Sequence, residues 1–184
     1  MPILGIMASS MQPALNAGSF ESIATTTGVG GIAELTFSSI PNTYAHLQLR
    51  IMMQMQNANW IRINFNGDST ASNYAYHEIR GSGTSANAYS ATSNNFTILQ
   101  NADAVSSCYA VAIVDILDYA NTNKNKTVRT LCGYDTNGSG QNINFNSNLW
   151  MNTSAISSIR LFQNNLQGNF AGYSHFALYG IKSS

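Results

Sequence analysis

The stretch His46–Met55, HLQLRIMMQM, decides the fold class of this chain. Apolar residues occupy every second position from Leu47 to Met55, and most of the positions between them are polar or charged. Successive side chains of a β-strand point to opposite faces, so this period of two predicts a strand with one face in a core and the other in water. The stretch therefore indicates an antiparallel sheet that is covered on one side.

Short segments with β character recur along most of the chain, and residues such as Gly, Asn and Ser separate them. Trp60–Phe65 alternates in the same way and leads into Asn66-Gly67-Asp68, where Asn and Gly tolerate the positive φ of a tight hairpin turn. Further strands are expected at Tyr74–Ile79, Phe96–Leu99, Val128–Tyr134, Ile143–Phe145, Ile156–Phe162 and Tyr173–Ile181. We therefore expect an all-β fold of about eight to ten strands, a two-sheet antiparallel sandwich that is jelly-roll-like.

The run Cys108–Leu117, CYAVAIVDIL, is apolar at consecutive positions. It predicts a strand that is buried on both faces, either between layers or against a neighbouring subunit. A buried helix is the alternative. Strand is favoured because Val111, Ile113 and Val114 are β-branched and no capping residue precedes the run.

Residues 1–18, MPILGIMASSMQPALNAG, do not share the alternation. We assign them as an extended N-terminal arm and residues 19–184 as the sandwich domain. Ile3, Leu4, Ile6 and Met7 would be costly to leave in water, which predicts that the arm docks on a partner or on a sister subunit. The alternative is that the arm folds back on its own core.

Charge is scarce in this chain. Its 184 residues include 8 Lys plus Arg and 8 Asp plus Glu, so charged residues make up 9% and the formal net charge is zero; a typical soluble domain has about 25%. The chain has no basic run that would favour binding of nucleic acid or of an anionic membrane surface. No apolar stretch approaches the roughly 20 residues of a membrane span, and the N-terminus is a poor match to a secretory signal.

Residue types that carry catalysis are few. His46, His77 and His175 lie in predicted strands without the spacing of metal ligands, so we expect no metal site and no cofactor. Asp115 and Asp118 are the best approach to the carboxylate pair of a glycosidase, but their odd spacing places them on opposite faces of a strand. We expect a protein that is not an enzyme, and a glycan-cleaving enzyme is the less favoured alternative.

Two further features of the sequence bear on metal binding or cross-linking, a pair of cysteines and a segment rich in Asn and Gly. Cys108 and Cys132 lack C-x-x-C spacing and a nearby pair of His, and no signal indicates an oxidising compartment, so we expect buried free thiols. Asp135–Asn142, DTNGSGQN, slightly resembles a calcium loop, but Asn146 stands where a bidentate Glu should close it.

Nine Tyr and two Trp stand among residues rich in Asn, Ser and Gly. Rigid rings beside adaptable hydrogen-bonding groups are typical of binding loops for glycans and protein surfaces. The loop expected at Gly81–Asn95 presents Tyr89, and the one at Asn148–Asn152 presents Trp150. Both are surface-contact candidates, and packing of either ring on its own domain is the alternative.

Four stretches carry a resemblance to a known family: MPILGIMASS at the start, TFSSIPNTYAHLQLR at Thr36–Arg50, DILDYANTNKNKTVRTLCGYDTNGSG at Asp115–Gly140, and FALYGI at Phe176–Ile181. They resemble small structural proteins of tailed bacteriophages, and the S-I-P-x-T-Y-x-H-L-x-L-R pattern is the most specific element. The resemblance implies a virion component that assembles in the host cytoplasm with other virion proteins. A homo-oligomer is expected, with a trimer preferred because fibres and capsid decorations that it looks like are commonly trimeric.

The resemblance leaves two functions open. In the first, the chain is a tail fibre or receptor-binding protein whose arm docks on the baseplate or tail and whose loops contact a glycan or protein of the host surface. In the second, it is a capsid decoration (cement) protein whose arm lies across major capsid subunits. The loops rich in Tyr, Trp and Asn favour the first, whereas the short length and the neutrality favour the second.

Overall fold

The computed structural model describes residues 18–27, 30–57, 59–92, 96–102, 108–136, 141–166 and 168–182, without the side chains of the strand at Phe96–Ala102. Its strands are β1 Phe20–Thr27, β2 Glu34–Phe37, β3 His46–Met53, β4 Asn59–Phe65, β5 Tyr74–Ser82, β6 Ser85–Thr92, β7 Phe96–Ala102, β8 Ala110–Ile116, β9 Lys126–Asp135, β10 Gln141–Trp150, β11 Ile159–Gln163 and β12 His175–Ile181. Within the described part of the chain, the only helical segments are two 3₁₀ turns, Ala71–Asn73 and Asn164–Leu166. The predicted arm lies outside the described residues except for Gly18.

The strands form two antiparallel sheets. The large sheet has the order β1-β12-β3-β8-β9-β10-β5-β6 and the small sheet has the order β2-β11-β4-β7. Strands β1 to β4 alternate between the two sheets, and the chain later enters the small sheet and returns to the large one at β7 and again at β11. The four-stranded unit β1-β12-β3-β8 thus faces β2-β11-β4-β7, which is the connectivity of a jelly roll. The predicted two-sheet sandwich is confirmed.

Two hairpins extend the large sheet beyond this jelly roll. The hairpin β5–β6 is inserted between β4 and β7, and the hairpin β9–β10 is inserted between β8 and β11. They pair side by side, because β9 joins β8 and β10 joins β5. The expectation of a loop at Gly81–Asn95 is therefore wrong, since most of it is β6. The small and polar side chains of β6 lack the apolar alternation that predicts a strand. Pairing with β5 decides that this segment is a strand.

The core confirms the alternation of His46–Met55. Leu47, Leu49, Ile51, Met53 and Met55 are at most 4% exposed, and they belong to one hydrophobic cluster that includes residues of both sheets. The run at Cys108–Leu117 forms strand β8, as predicted. Its burial differs from the prediction, because only one face is buried and the other face of the strand is exposed.

The predicted turn after β4 is present. Asn66 and Gly67 have φ angles of 52° and 70°, and the backbone N–H of Asp68 donates to the carbonyl of Phe65 at 2.8 Å. Two successive positive φ angles closed by this hydrogen bond make a type I′ turn. The turn places the Asp68 carboxylate beside the core.

Trp150 anchors this corner of the sandwich. It is fully buried at the end of β10, its ring centroid lies 5.4 Å from that of Phe65, and its indole N–H donates to Asp68 at 2.8 Å. The expectation that Trp150 contacts a partner at the surface is therefore wrong. The residue lies on the inward face of a strand rather than in a loop, and the core takes up the large apolar ring.

The Asp68 carboxylate makes stability depend on pH. Burial pulls its pKa upward, but hydrogen bonds from Asn73, Trp150 and Thr70 outweigh this effect, and the pKa lies below its ordinary value. A carboxylate with a pKa that folding depresses stabilises the native state above its unfolded pKa, and this contribution is lost as the pH falls through the folded pKa.

We expect Asp68→Asn to lower the free energy of unfolding by about 2 kcal/mol at neutral pH, because a charged acceptor of three hydrogen bonds is lost. The difference from the wild type should shrink as the pH falls from about 5 to about 2. Urea denaturation followed by tryptophan fluorescence across this range measures both quantities. A cost that is the same at every pH would contradict the role of the charge.

Candidate association surface

The outer face of the large sheet carries a band of exposed apolar side chains. Its members lie on the five neighbouring strands β3, β8, β9, β10 and β5, and each is between 43% and 64% exposed: Met52, Ile79, Val111, Ile113, Leu131, Ile143 and Phe145. We refer to these residues as the apolar band. Contiguous exposed apolar residues are uncommon on soluble monomers, so this face is the candidate site for association with another molecule.

Strand register arranges the band in two adjacent rows. The first row runs across the strands through Met52, Val111, Gly133 and Ile143. The second row runs through Ile113, Leu131, Phe145 and Ile79. At about 4.8 Å per strand, the band is roughly 20 Å long and two residues wide.

Strand β10 has the reverse of the polarity expected for a sandwich. Ile143 and Phe145 point outward and are 60% and 49% exposed, whereas Asn144, Asn146 and Asn148 point inward and are at most 2% exposed. An antiparallel sheet with one wet face normally turns its apolar set toward the core. The hairpins that extend the jelly roll are therefore apolar on the face that the sandwich leaves uncovered.

A buried ion pair holds this inverted strand in place. The carboxylate of Glu78, a residue that is 3% exposed, accepts hydrogen bonds from Nε of Arg80 at 2.7 Å and from the side-chain amide of Asn144. The Arg80 guanidinium also lies 4.5 Å from the centroid of the Tyr89 ring. These contacts tie β5 to β10 and to β6, and the alternation of β5 then turns Ile79 outward.

A groove of about 750 Å³ opens within the band. Gly133 lies in its floor between Val111 and Ile143, and Tyr109 contributes to its wall. A Cβ atom at Gly133 would lie 2.9 Å from the carbonyl oxygen of Asn142, closer than real contacts allow. The backbone therefore requires glycine here, and the missing side chain leaves a depression beside the protruding members of the band.

Charged groups lie at the edges of the band. Asp115 accepts a hydrogen bond from Gln48 at 2.8 Å and pairs in register with Arg129, in the row next to Ile113. Arg50, at the β3 end of the second row, places its guanidinium 5.0 Å from the centroid of Tyr179. The rim thus carries both signs of charge around an uncharged centre.

The site residues expected from sequence do not belong to the band. Tyr89 is 43% exposed, but it lies on β6 with its ring against Arg80. Trp150 is in the core. The arm residues Ile3, Leu4, Ile6 and Met7 lie outside the described residues.

The acidic pair and the two cysteines have local roles. Asp118 lies 3.5 Å from the Lys124 amine and 3.6 Å from His46, whereas Asp115 is bound by Gln48, so the two carboxylates are engaged separately. Cys108 and Cys132 form no disulfide, as expected; Cys132 is buried, but the prediction of burial is wrong for Cys108, which is partly exposed. Among the described residues, no group of three or more His, Cys, Asp or Glu is placed to hold a metal ion. No helix in this part of the chain has the length and apolar character to cross a bilayer.

The apolar band was not predicted, although the sequence contains a signal for it. From position 142 to position 148, Asn stands at every even position, and Ile143 and Phe145 stand between. This period of two predicts a strand, but both assignments of its faces satisfy the period. The pairing partners of β10 decide which set points outward.

Comparisons with protein-family models, with curated proteins and with solved structures found no match. The apolar band and the residues around it are therefore the features that bear on function.

Breaking the buried ion pair should destabilise the protein more than breaking an exposed one. We expect Glu78→Gln to lower the free energy of unfolding by about 3 kcal/mol, because the buried carboxylate that accepts from Arg80 and Asn144 would lose its charge. Glu34→Gln is the matched control, since Glu34 pairs with Arg160 at the surface, and its cost should stay below about 1 kcal/mol. Urea denaturation of both variants measures the difference, and equal costs would contradict it.

Proposed function

We propose that this chain is a non-enzymatic structural protein of a bacteriophage virion, most specifically a tail fibre or receptor-binding component, and that it works by association. The apolar band is the observation that carries this proposal. Seven apolar side chains, each between 43% and 64% exposed, adjoin one another on one face of the large sheet, whereas the exposed apolar residues of a soluble monomer are normally scattered singly. A chain that leaves such a face uncovered is suited to assembly with other protein subunits.

The scarcity of charge supports the same proposal. Charged residues make up 9% of the chain, and those near the band lie on its rim. Association through such a surface depends on burial of apolar area, and salt screens it little. A virion component that must stay assembled across changing ionic conditions benefits from this property. Because Thr36–Arg50 resembles phage structural proteins, we expect the partners to be other virion proteins.

An exposed aromatic residue favours the receptor-binding version. Tyr173 is 83% exposed and has a φ of 66°, a conformation that non-glycine residues rarely adopt. The next residue, Ser174, is fully buried, and its hydroxyl donates to the carbonyl of Ala171 at 2.9 Å. The loop thus holds an amphipathic ring out toward solvent on a fixed support, which suits contact with a host glycan or protein.

Capsid decoration is the second candidate. In this function the N-terminal arm, with Ile3, Leu4, Ile6 and Met7, would lie across major capsid subunits. The short neutral sandwich would stand above them. A glycan-cleaving tail enzyme is less favoured, because Asp115 and Asp118 are engaged with different partners and do not face each other as a catalytic pair.

Labelling of particles separates the two locations. Phage particles that encode this chain are incubated with a gold-conjugated antibody against the purified protein and imaged by electron microscopy. We expect label at the tail end, because a receptor-binding component must reach the host surface. Label spread over the head would replace the first function by capsid decoration, and particles without label would overturn the virion proposal.

Deletion of residues 2–18 tests the docking role of the arm. We expect the truncated chain to keep the β circular dichroism spectrum of the full chain, because the twelve strands described above begin at Phe20, after the deleted residues. Its incorporation into particles should fall at least tenfold, measured by immunoblot of purified particles against the full chain expressed in parallel. Normal incorporation of the truncated chain would show that the arm does not dock.

A further inference from the structure

We propose that a second copy of this chain covers the apolar band, so that subunits associate through the outer faces of their large sheets. This inference rests on the proposed function, in which the chain works by association, and it names the partner of the band and the residues that meet. A self-complementary contact of this kind joins subunits in pairs, so the inference keeps the expected homo-oligomer but replaces the preferred trimer by a dimeric contact.

The extent of the band fits a subunit interface. Such interfaces have an apolar centre and a polar rim, and the band spans five neighbouring strands with charged residues at its edges. The band is also two rows wide. A single extended segment, such as the N-terminal arm, turns only one row of side chains toward a sheet. A second folded subunit therefore covers the band more completely than the arm does.

The relief of the face is complementary to itself. Ile79 and Ile143 protrude most, at 64% and 60% exposure, and the groove at Gly133 lies on the same face. A surface that carries both its own protrusion and its own depression packs against a copy of itself when a two-fold axis that lies in the interface turns the copy over. The isoleucine side chains of one subunit then enter the groove of the other.

The charges of the chain also permit a second copy. The band itself contains no charged side chain, and its rim carries both Asp115 and Arg129, so two copies do not meet with like charges alone. The formal net charge of zero removes repulsion between whole subunits. A partner with a large net charge of either sign would find few groups of the opposite sign to bind on this face.

The test measures the oligomeric state of the purified full chain by sedimentation velocity over a range of protein concentrations. We expect the wild type to be oligomeric. For Leu131→Lys, the dissociation constant of the oligomer should be at least about thirtyfold higher, because the ammonium group would be placed at the centre of the interface. Leu166→Lys is the matched control, since both leucines are 49% exposed and Leu166 lies beside Arg160 of the small sheet. It should behave as the wild type.

Ile79→Lys provides a second variant, at the most exposed position of the band, and should also dissociate. Circular dichroism establishes that each variant is folded. A wild type that stays monomeric, or an oligomer that Leu131→Lys and Ile79→Lys leave intact, would overturn the inference. An oligomer that dissociates when residues 2–18 are deleted would also overturn it, since the arm would then be the contact.

Failure of this inference is distinguishable from failure of the proposed function. A chain that labels phage particles but is monomeric in solution would remove the self-association of the band and leave the virion role in place. A chain that oligomerises through the band but is absent from particles would remove the virion role and leave the self-association of the band in place.

Discussion

The register of β10 between β9 and β5 is the constraint on which the outer face of the large sheet depends. A shift of one residue would send Ile143 and Phe145 inward and the asparagines outward, which hydrophobic burial alone would favour. The buried carboxylate of Glu78 opposes this shift, because it would lose the hydrogen bonds from Arg80 and Asn144. Trp150, buried on the same face as the asparagines, opposes it as well.

This register carries a free-energy cost inside the sandwich. The side-chain oxygens of Asn144 and Asn148 are buried and have no hydrogen-bond partner among the described residues. Each buried acceptor without a partner costs about 1–3 kcal/mol. In the proposed assembly, covering of the apolar band would offset this cost, since complete burial of one Leu or Ile side chain contributes about 1.5–3 kcal/mol.

The two parts of the large sheet have different tasks. The jelly-roll strands, among them β3 and β8, hold the hydrophobic core between the sheets, as the burial of Leu49 and Val114 illustrates. The hairpins β5–β6 and β9–β10 widen the sheet and supply most of the apolar band. A rigid core thus supports a broad face, and the face needs no loop rearrangement to meet a partner.

Local pattern alone determined the all-β class, the strand at His46–Met55 and the turn at Asn66-Gly67, because alternation and positive φ act over a few neighbouring residues. The tertiary structure decided the positions of Tyr89 and Trp150, which the sequence placed in loops, and the exposure of one face of β8. It also decided which face of β10 meets solvent. A period of two is compatible with either face, and pairing between strands far apart in the chain selects one.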